Sequence, residues 1–380
     1  MLDVNSTPPI WINSSQKLQS ILPDLARSPF LSIDTESNSL YVYREQVCLI
    51  QITTDANDYL IDPLALPDLT PLTTFFANPL QEKIFHASEY DIICLKRDFG
   101  FQFVNIFDTM IAARILGEEA VGLASLLQSR LGLELEKKYQ RANWGIRPLS
   151  QSMLDYACQD SHSLYELRNI IAAELKEKDL WELALEDFRL ACDVEANAAN
   201  PTPKSCWKVA GSQTLDPCEA AILQELCEFR EAQARRQNVP PFKILTNEVL
   251  VTLTKLHPTS ADQMLEVHGI TQKLINRFGF DLLQAVQRGK TAPPLRKPKN
   301  SRPDERFLKR LESLREWRKL KGKELKVESD VILPRDFIEL IAGENPASTS
   351  DLKSIMCSIP WRYQHFGLDI LQVLRKQETE

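Results

Sequence analysis

FGFDLLQAV, beginning at Phe278, returns as FGLDILQVL at Phe366, so Phe, Gly, Asp, Leu and Gln recur at a constant offset of 88 residues. A repeat of this kind restricts the second half of the chain to two copies of one small unit. Its apolar residues, spaced by three and four, make that unit helical. A looser match joins FREAQARRQNVPP from Phe229 to LREWRKLKGKELK from Leu314 at an offset of 85, which predicts a three-residue length change in a surface loop between the two anchors. Each module is then about 75 residues long, and the first 190 or so residues must form something else. The expected division is a first domain over residues 1–192, a linker over 193–215, one module over 216–290, a basic Pro-rich linker over 291–303 and a second module over 304–380. The linkers are read from DVEANAANPTPKSCWKVAGSQTLDP and KTAPPLRKPKNSRP.

The first region mixes two periodicities. Phe30 to Ile33, Val47 to Thr53, Tyr59 to Ile61 and Ile84 to Phe85 read as short strands. Glu89 to Arg97, Thr109 to Leu116, Gly122 to Leu131 and one long run from Ser150 to Leu175 read as helices. Strands first, with helices between and after, predict a mixed sheet flanked by helices. No Gly-rich loop follows any of these strands, which argues against a doubly wound nucleotide-binding fold.

Charge separates the halves as well. Residues 1–200 carry a net −13 and residues 201–380 a net +6. A basic half can hold phosphates and an acidic half can hold cations, a pairing suited to metal chemistry on a polyanion. The eight cysteines are scattered with no C-x-x-C pair, as expected of reduced thiols in a cytoplasmic protein rather than of a disulfide framework or a structural zinc site. No charge-free apolar run approaches the roughly 20 residues of a spanning helix. The start, MLDVNSTPPIWINSSQ, lacks a basic segment followed by an apolar core, so neither export nor membrane anchoring is expected.

Three short motifs carry the chemistry. In FLSIDTES an apolar strand ends in Asp34-Thr35-Glu36, and strand alternation points Asp34 and Glu36 the same way. Two carboxylates sharing one space repel each other unless a hard divalent cation neutralises them, although a solvated strand end would also accommodate them. In KIFHASEYDIICLKRDFG a strand meets a helix near His86 to Ser88, which places Asp91 in an early turn. Asp108 in IFDTM reads as a helix cap. In SMLDYACQDSHSLYEL, Tyr156 and Asp160 stand four apart on one helix face, where a phenol and a carboxylate can jointly position a water.

Taken together, an Asp-x-Glu strand, an Asp 55 residues later at a strand-to-helix turn and a Tyr-x-x-x-Asp helix 69 beyond that resemble the DEDDy 3′–5′ exonuclease superfamily. Within it the chain looks like the ribonuclease D family, because the likeness continues through SLYVYREQVCLIQIT, FDTMIAARILG, GLASLLQSRLG and KKYQRANWGIRPLS, and the repeated modules resemble two HRDC domains. The resemblance implies an α/β ribonuclease H-like exonuclease domain followed by two small all-α HRDC-like domains. It also implies a catalytic set of Asp34, Glu36, Asp91, Tyr156 and Asp160, in which the four carboxylates hold two divalent metal ions, Mg²⁺ or Mn²⁺. Asp34 would bridge, Glu36 and Asp160 would complete one metal site, and Asp91 would serve the other. Tyr156 would stay protonated and orient the attacking water.

The expected substrate is RNA with a free 3′ end, tRNA precursors in the family's case, shortened stepwise to nucleoside 5′-monophosphates. Thr35, His86, Lys138, Trp144 and Arg147 are candidate substrate contacts; for the last three, loop packing is the alternative. Asn143 replaces the family's usual Asp, and Ser163 a frequent Tyr. Arg230, Arg235, Arg236, Arg315, Arg318, Lys319, Lys321 and Lys323 could track an RNA backbone or simply be solvated. Two other readings keep the motifs: a 3′–5′ DNA exonuclease, distinguished by indifference to the 2′-OH, and an RNA-binding adaptor with an inactive nuclease domain, which predicts missing carboxylates where none is missing.

Overall fold

The computed structural model describes residues 8–135, 138–196, 206–297 and 304–378. Parts of both expected linkers, residues 197–205 and 298–303, lie outside them. The chain divides into two compact units, one of Met1–Ser37, Val47–Asn197 and Pro303–Glu380, the other of Asn38–Gln46 and Ala198–Arg302. Among the described residues no helix is long and apolar enough to cross a membrane, and all eight cysteines are free thiols.

In the first unit the elements run β1 (Ile10–Ile12), α1 (Ser15–Arg27), β2 (Phe30–Ser37), β3 (Val47–Thr53), β4 (Asp58–Ile61), α2 (Thr73–Phe76), β5 (Glu82–Phe85), α3 (Glu89–Phe99), β6 (Ile106–Asp108), α4 (Thr109–Ile115), α5 (Leu123–Leu131), α6 (Gln151–His162), α7 (Leu164–Glu177) and α8 (Trp181–Cys192). The six strands form one sheet in the order β1-β4-β3-β2-β5-β6. β3 runs antiparallel to β2 and β4, whereas β1 pairs with β4, β5 with β2 and β6 with β5 in parallel, which is the mixed sheet expected. β3, VCLIQIT, is buried along its whole length. Ile50 and Ile52 join the main apolar core on one face of the sheet. Leu49 packs with Met153, Tyr156 and Ala157 of α6 on the other.

Three elements differ from expectation. β2 runs on to Ser37, one residue past the Asp34-Thr35-Glu36 motif in which the strand was expected to end. α1 forms in spite of Pro23, which normally interrupts a helix, because Leu18, Ile21 and Leu25 bury one face in the core. The single helix expected from Ser150 to Leu175 is two, broken at Ser163, whose backbone (φ −92°, ψ 2°) ends α6 and opens α7.

Both modules are helical: α9 (Pro217–Gln237), α10 (Pro241–Ile244), α11 (Asn247–Leu256), α12 (Ala261–Leu265) and α13 (Gln272–Thr291) in the first, α14 (Glu305–Leu325), α15 (Ser329–Ile332), α16 (Arg335–Glu344), α17 (Thr349–Ile355) and α18 (Pro360–Glu378) in the second. Every helix of the second begins 88 residues after its counterpart. The expected 85-residue register is therefore wrong, and no three-residue change lies between the anchors. Charged residues on a solvated face can slide in register at no cost, whereas buried ones cannot. Arg230 donates to the Leu245 carbonyl at 3.1 Å and Arg318 to the Leu333 carbonyl at 2.9 Å, each reaching 15 residues ahead. Phe229 meets Phe278 edge-on, as Trp317 meets Phe366. Arg230, buried, and Arg318, half-buried, thus each brace the inside of their own module.

The second module shares the first unit. Arg362, fully buried, donates to Glu186 of α8 at 3.1 Å, to Asp187 at 2.9 Å and to the Val331 carbonyl at 2.9 Å. Val331 joins the main apolar core.

Candidate active site

Asp34 and Glu36 lie on one face of β2, and α6 lies across that face. The helix is started by Ser150, whose hydroxyl accepts from the Met153 N–H. It is tied to the sheet by Ser161, which meets Thr53 of β3 at 2.9 Å. That attachment turns Asp160 toward the strand. One carboxylate oxygen each from Asp34, Glu36 and Asp160 lies within 4.8 Å of the others.

Asp91 approaches from the first turn of α3. The Thr35 hydroxyl donates to it in a short hydrogen bond, so Thr35 holds the carboxylate in place. Behind it, Asp108 accepts from the N–H groups of Ala87 and Ser88 at 3.1 and 2.7 Å and from those of Met110 and Ile111 at 2.8 and 3.1 Å. Asp108 is the cap of α4, as expected, and it also clamps the turn that opens α3. Ala87 is held there at φ 60°, a conformation a non-glycine residue rarely adopts. The sequence shows an Asp ahead of a helix; nothing local in it shows the second set of donors.

Electrostatics set the carboxylates apart from surface acids. Burial first, then the charges of Asp91, Asp160 and Glu36, hold Asp34 well above the usual carboxylate range, against which the Thr35 backbone hydrogen bond is a minor opposing effect. Burial, then Asp160 and Asp91, push Glu36 up to about 9. Burial raises Asp91 to about 7 and Asp160 to about 6. Tyr156 is buried beside Asp160 and donates its hydroxyl to that carboxylate; burial and the neighbouring negative charges raise its pKa, so the phenol stays protonated. Converging, mutually repelling oxygens of this kind fit a hard divalent cation.

A pH dependence follows. Each of these carboxylates titrates higher in the folded protein than in an unfolded chain, so between about pH 4 and pH 9 the folded state binds more protons and stability falls as pH rises. In chelator the melting temperature is expected to drop by on the order of 5 °C from pH 5 to pH 9 beyond the change in an Asp34→Asn variant, and Mn²⁺ is expected to restore it. Equal pH profiles of the two proteins in thermal denaturation would mean that the repulsion is relieved without metal.

The remaining candidates are placed differently. The His86 imidazole meets Thr109 at 2.9 Å and burial holds its pKa below the ordinary value. Lys138 is exposed, its ammonium 5.2 Å from the Tyr139 ring centre. Trp144 is buried and its ring lies 6.1 Å from that of Tyr156. Arg147 donates to Asp62 and to the carbonyls of Trp144, Ile146 and Cys48. Trp144 thus packs with Tyr156, and Arg147 ties the same loop to Asp62 and to Cys48 of β3. Asn143 accepts from the Gly145 N–H at 3.1 Å and so turns this loop.

A mixed sheet, a crossing helix and convergent carboxylates define a 3′–5′ exonuclease domain, and residues 9–176 match the family model of that description. Residues 219–286 and 307–374 match the HRDC domain, again 88 apart. The chain belongs to the ribonuclease D family: it is 30% identical to ribonuclease D of Desulfotalea psychrophila over 280 residues, 73% of this chain and 74% of that protein. It is 34% identical to the exosome complex exonuclease RRP6 of Saccharomyces cerevisiae over 70% of its own length, but it spans only 38% of that larger protein. Its fold is that of the crystal structure of Escherichia coli RNase D, an exoribonuclease involved in structured RNA processing, with a TM-score of 0.70 at 22% identity over 97% of this chain and 99% of that one.

Proposed function

We propose that the chain is a divalent-metal-dependent 3′-to-5′ exoribonuclease that removes terminal nucleotides as 5′-monophosphates from structured RNAs, tRNA precursors among them. The observation that carries this reading is the convergence of Asp34, Glu36 and Asp160 within 4.8 Å, with Tyr156 bonded to one of them and Asp91 alongside. In this reading Asp34, Glu36 and Asp160 would hold one cation and Asp91 would serve a second, Mg²⁺ or Mn²⁺. Bound there, a divalent ion supplies charge neutralisation at the phosphate and ready ionisation of water near neutral pH. The protonated Tyr156 phenol orients the attacking water by hydrogen bonding, and Asp160 holds the phenol in place. Residues 1–192 carry the chemistry, residues 216–290 and 304–380 serve as RNA-binding modules, and residues 193–215 and 291–303 link them. In this reading the protein acts in the cytoplasm, where its eight thiols would stay reduced.

The test is a 5′-labelled RNA with a single-stranded 3′ extension, incubated with Mg²⁺ or Mn²⁺ beside a DNA strand of the same sequence. A ladder shortening from the 3′ end of the RNA is expected, with 5′-monophosphates in the product. Tyr156→Phe is expected to lower kcat by about 100-fold with little change in KM. Preference for DNA would favour the DNA exonuclease, and tight RNA binding without hydrolysis would favour the inactive adaptor.

A further inference from the structure

β3 contains a polar residue that strand formation does not explain. Gln51 is fully buried in a strand whose seven residues are all buried. It stands directly opposite Asp34 in the antiparallel pairing of β2 with β3. Residues so paired share a face of the sheet, with Cβ atoms about 4.5–5.5 Å apart. Two positions away on the same face are Leu49, packed with Tyr156 and Ala157, and Thr53, bonded to Ser161 of α6. The Gln51 side chain therefore lies beneath α6, between the strand that carries Asp34 and the helix that carries Asp160.

Both polar atoms of that amide, Nε2 and Oε1, are buried without a hydrogen-bond partner among the described residues. Folding alone penalises such a group, and a leucine of similar volume would avoid the penalty. A ligating carboxylate, by contrast, is usually oriented by a hydrogen-bond donor on its far side, and loss of that donor weakens metal binding by about 10–100-fold. Gln51 is a donor placed across from the central carboxylate.

We propose that Gln51 is a positioning residue of the metal site: its amide N–H donates to the Asp34 carboxylate in the cation-bound state, fixing the direction in which the carboxylate presents its remaining lone pairs. This rests on the reading of Asp34 as a metal ligand. Removing the amide then has opposite effects on folding and on metal binding, a pattern that a purely structural residue does not produce.

The experiment uses the full chain with Gln51→Leu, Gln51→Met and Asp34→Asn, following Mn²⁺ binding by the loss of the free-ion electron paramagnetic resonance signal and stability by thermal denaturation in chelator. Gln51→Leu is expected to melt at or above the wild-type temperature while binding Mn²⁺ about 10–100-fold more weakly; if Leu is not accommodated in the fold, Gln51→Met gives the same reading. Unchanged Mn²⁺ affinity in the folded Gln51 variants, with Asp34→Asn weakened, would overturn the role of Gln51 alone. Unchanged affinity in Asp34→Asn would overturn the metal-ligand reading and this inference with it.

Discussion

Replacing Asp34 by Asn is expected to leave a folded protein whose RNA-trimming rate, measured with Mn²⁺ on a 3′-extended substrate, is lower by about 10³-fold or more. The physical reason is the position of Asp34 in the cluster. It is the carboxylate acted on by all three of the others, Asp91, Asp160 and Glu36. Substituting an amide removes one ligand charge and leaves the surrounding shape nearly unchanged. The same substitution relieves repulsion when no cation is present, so the variant is expected to melt higher than the wild type in chelator at pH 8. Loss of activity accompanied by a gain in metal-free stability would mark a functional carboxylate. Undiminished trimming would place the chemistry elsewhere.

Arg362→Ala is expected to destabilise the first unit by about 3–5 kcal/mol in urea denaturation, because it strands a buried negative charge. Glu186 is 1% exposed and also accepts the Trp361 N–H. Asp187 is the second carboxylate on the same guanidinium, at 2.8 Å. Adding Glu186→Gln to the Ala variant is expected to recover part of the loss, since the neutral amide can be buried more cheaply than an unpaired carboxylate. Wild-type stability in Arg362→Ala would mean that water reaches this cluster. The expected loss would make the second module a structural part of the nuclease unit. The first module has Leu274 at the position 88 residues earlier, so this attachment belongs to one copy of the repeat.

Much of the fold could be read directly. β3 occupies the range its β-branched run predicts, and α3 and α5 begin within a residue of where their apolar spacing starts. The carboxylate motifs and Tyr156 were legible because each depends on a local period: two residues on a strand, four on a helix. What failed was non-local. Pro23 and a half-polar sequence hid α1, which is stabilised by the core it covers. The register of the repeat slipped to 85 because basic residues on a helix resemble one another until the hydrogen bonds of Arg230 and Arg318 to carbonyls 15 residues ahead distinguish them from their neighbours. Trp144 and Arg147 read equally well as nucleic-acid contacts and as loop packing, and the ion pair of Arg147 with Asp62, 85 residues away, left no trace in the sequence around either residue.

The sequence by itself determined the periodic features: the strand alternation that aligns Asp34 with Glu36, the helical turn that aligns Tyr156 with Asp160, and an 88-residue repeat of one helical module. These follow from backbone geometry acting over a few residues, which any window of sequence displays. Tertiary structure alone decided that Asp160 meets Asp34 across 126 positions of chain, that Asp108 clamps the turn before Asp91, that Gln51 is buried opposite a carboxylate, and that the second module docks through Arg362. Such contacts are set by which surfaces exclude water together, and burial between distant segments leaves no periodic trace in the residues that make it.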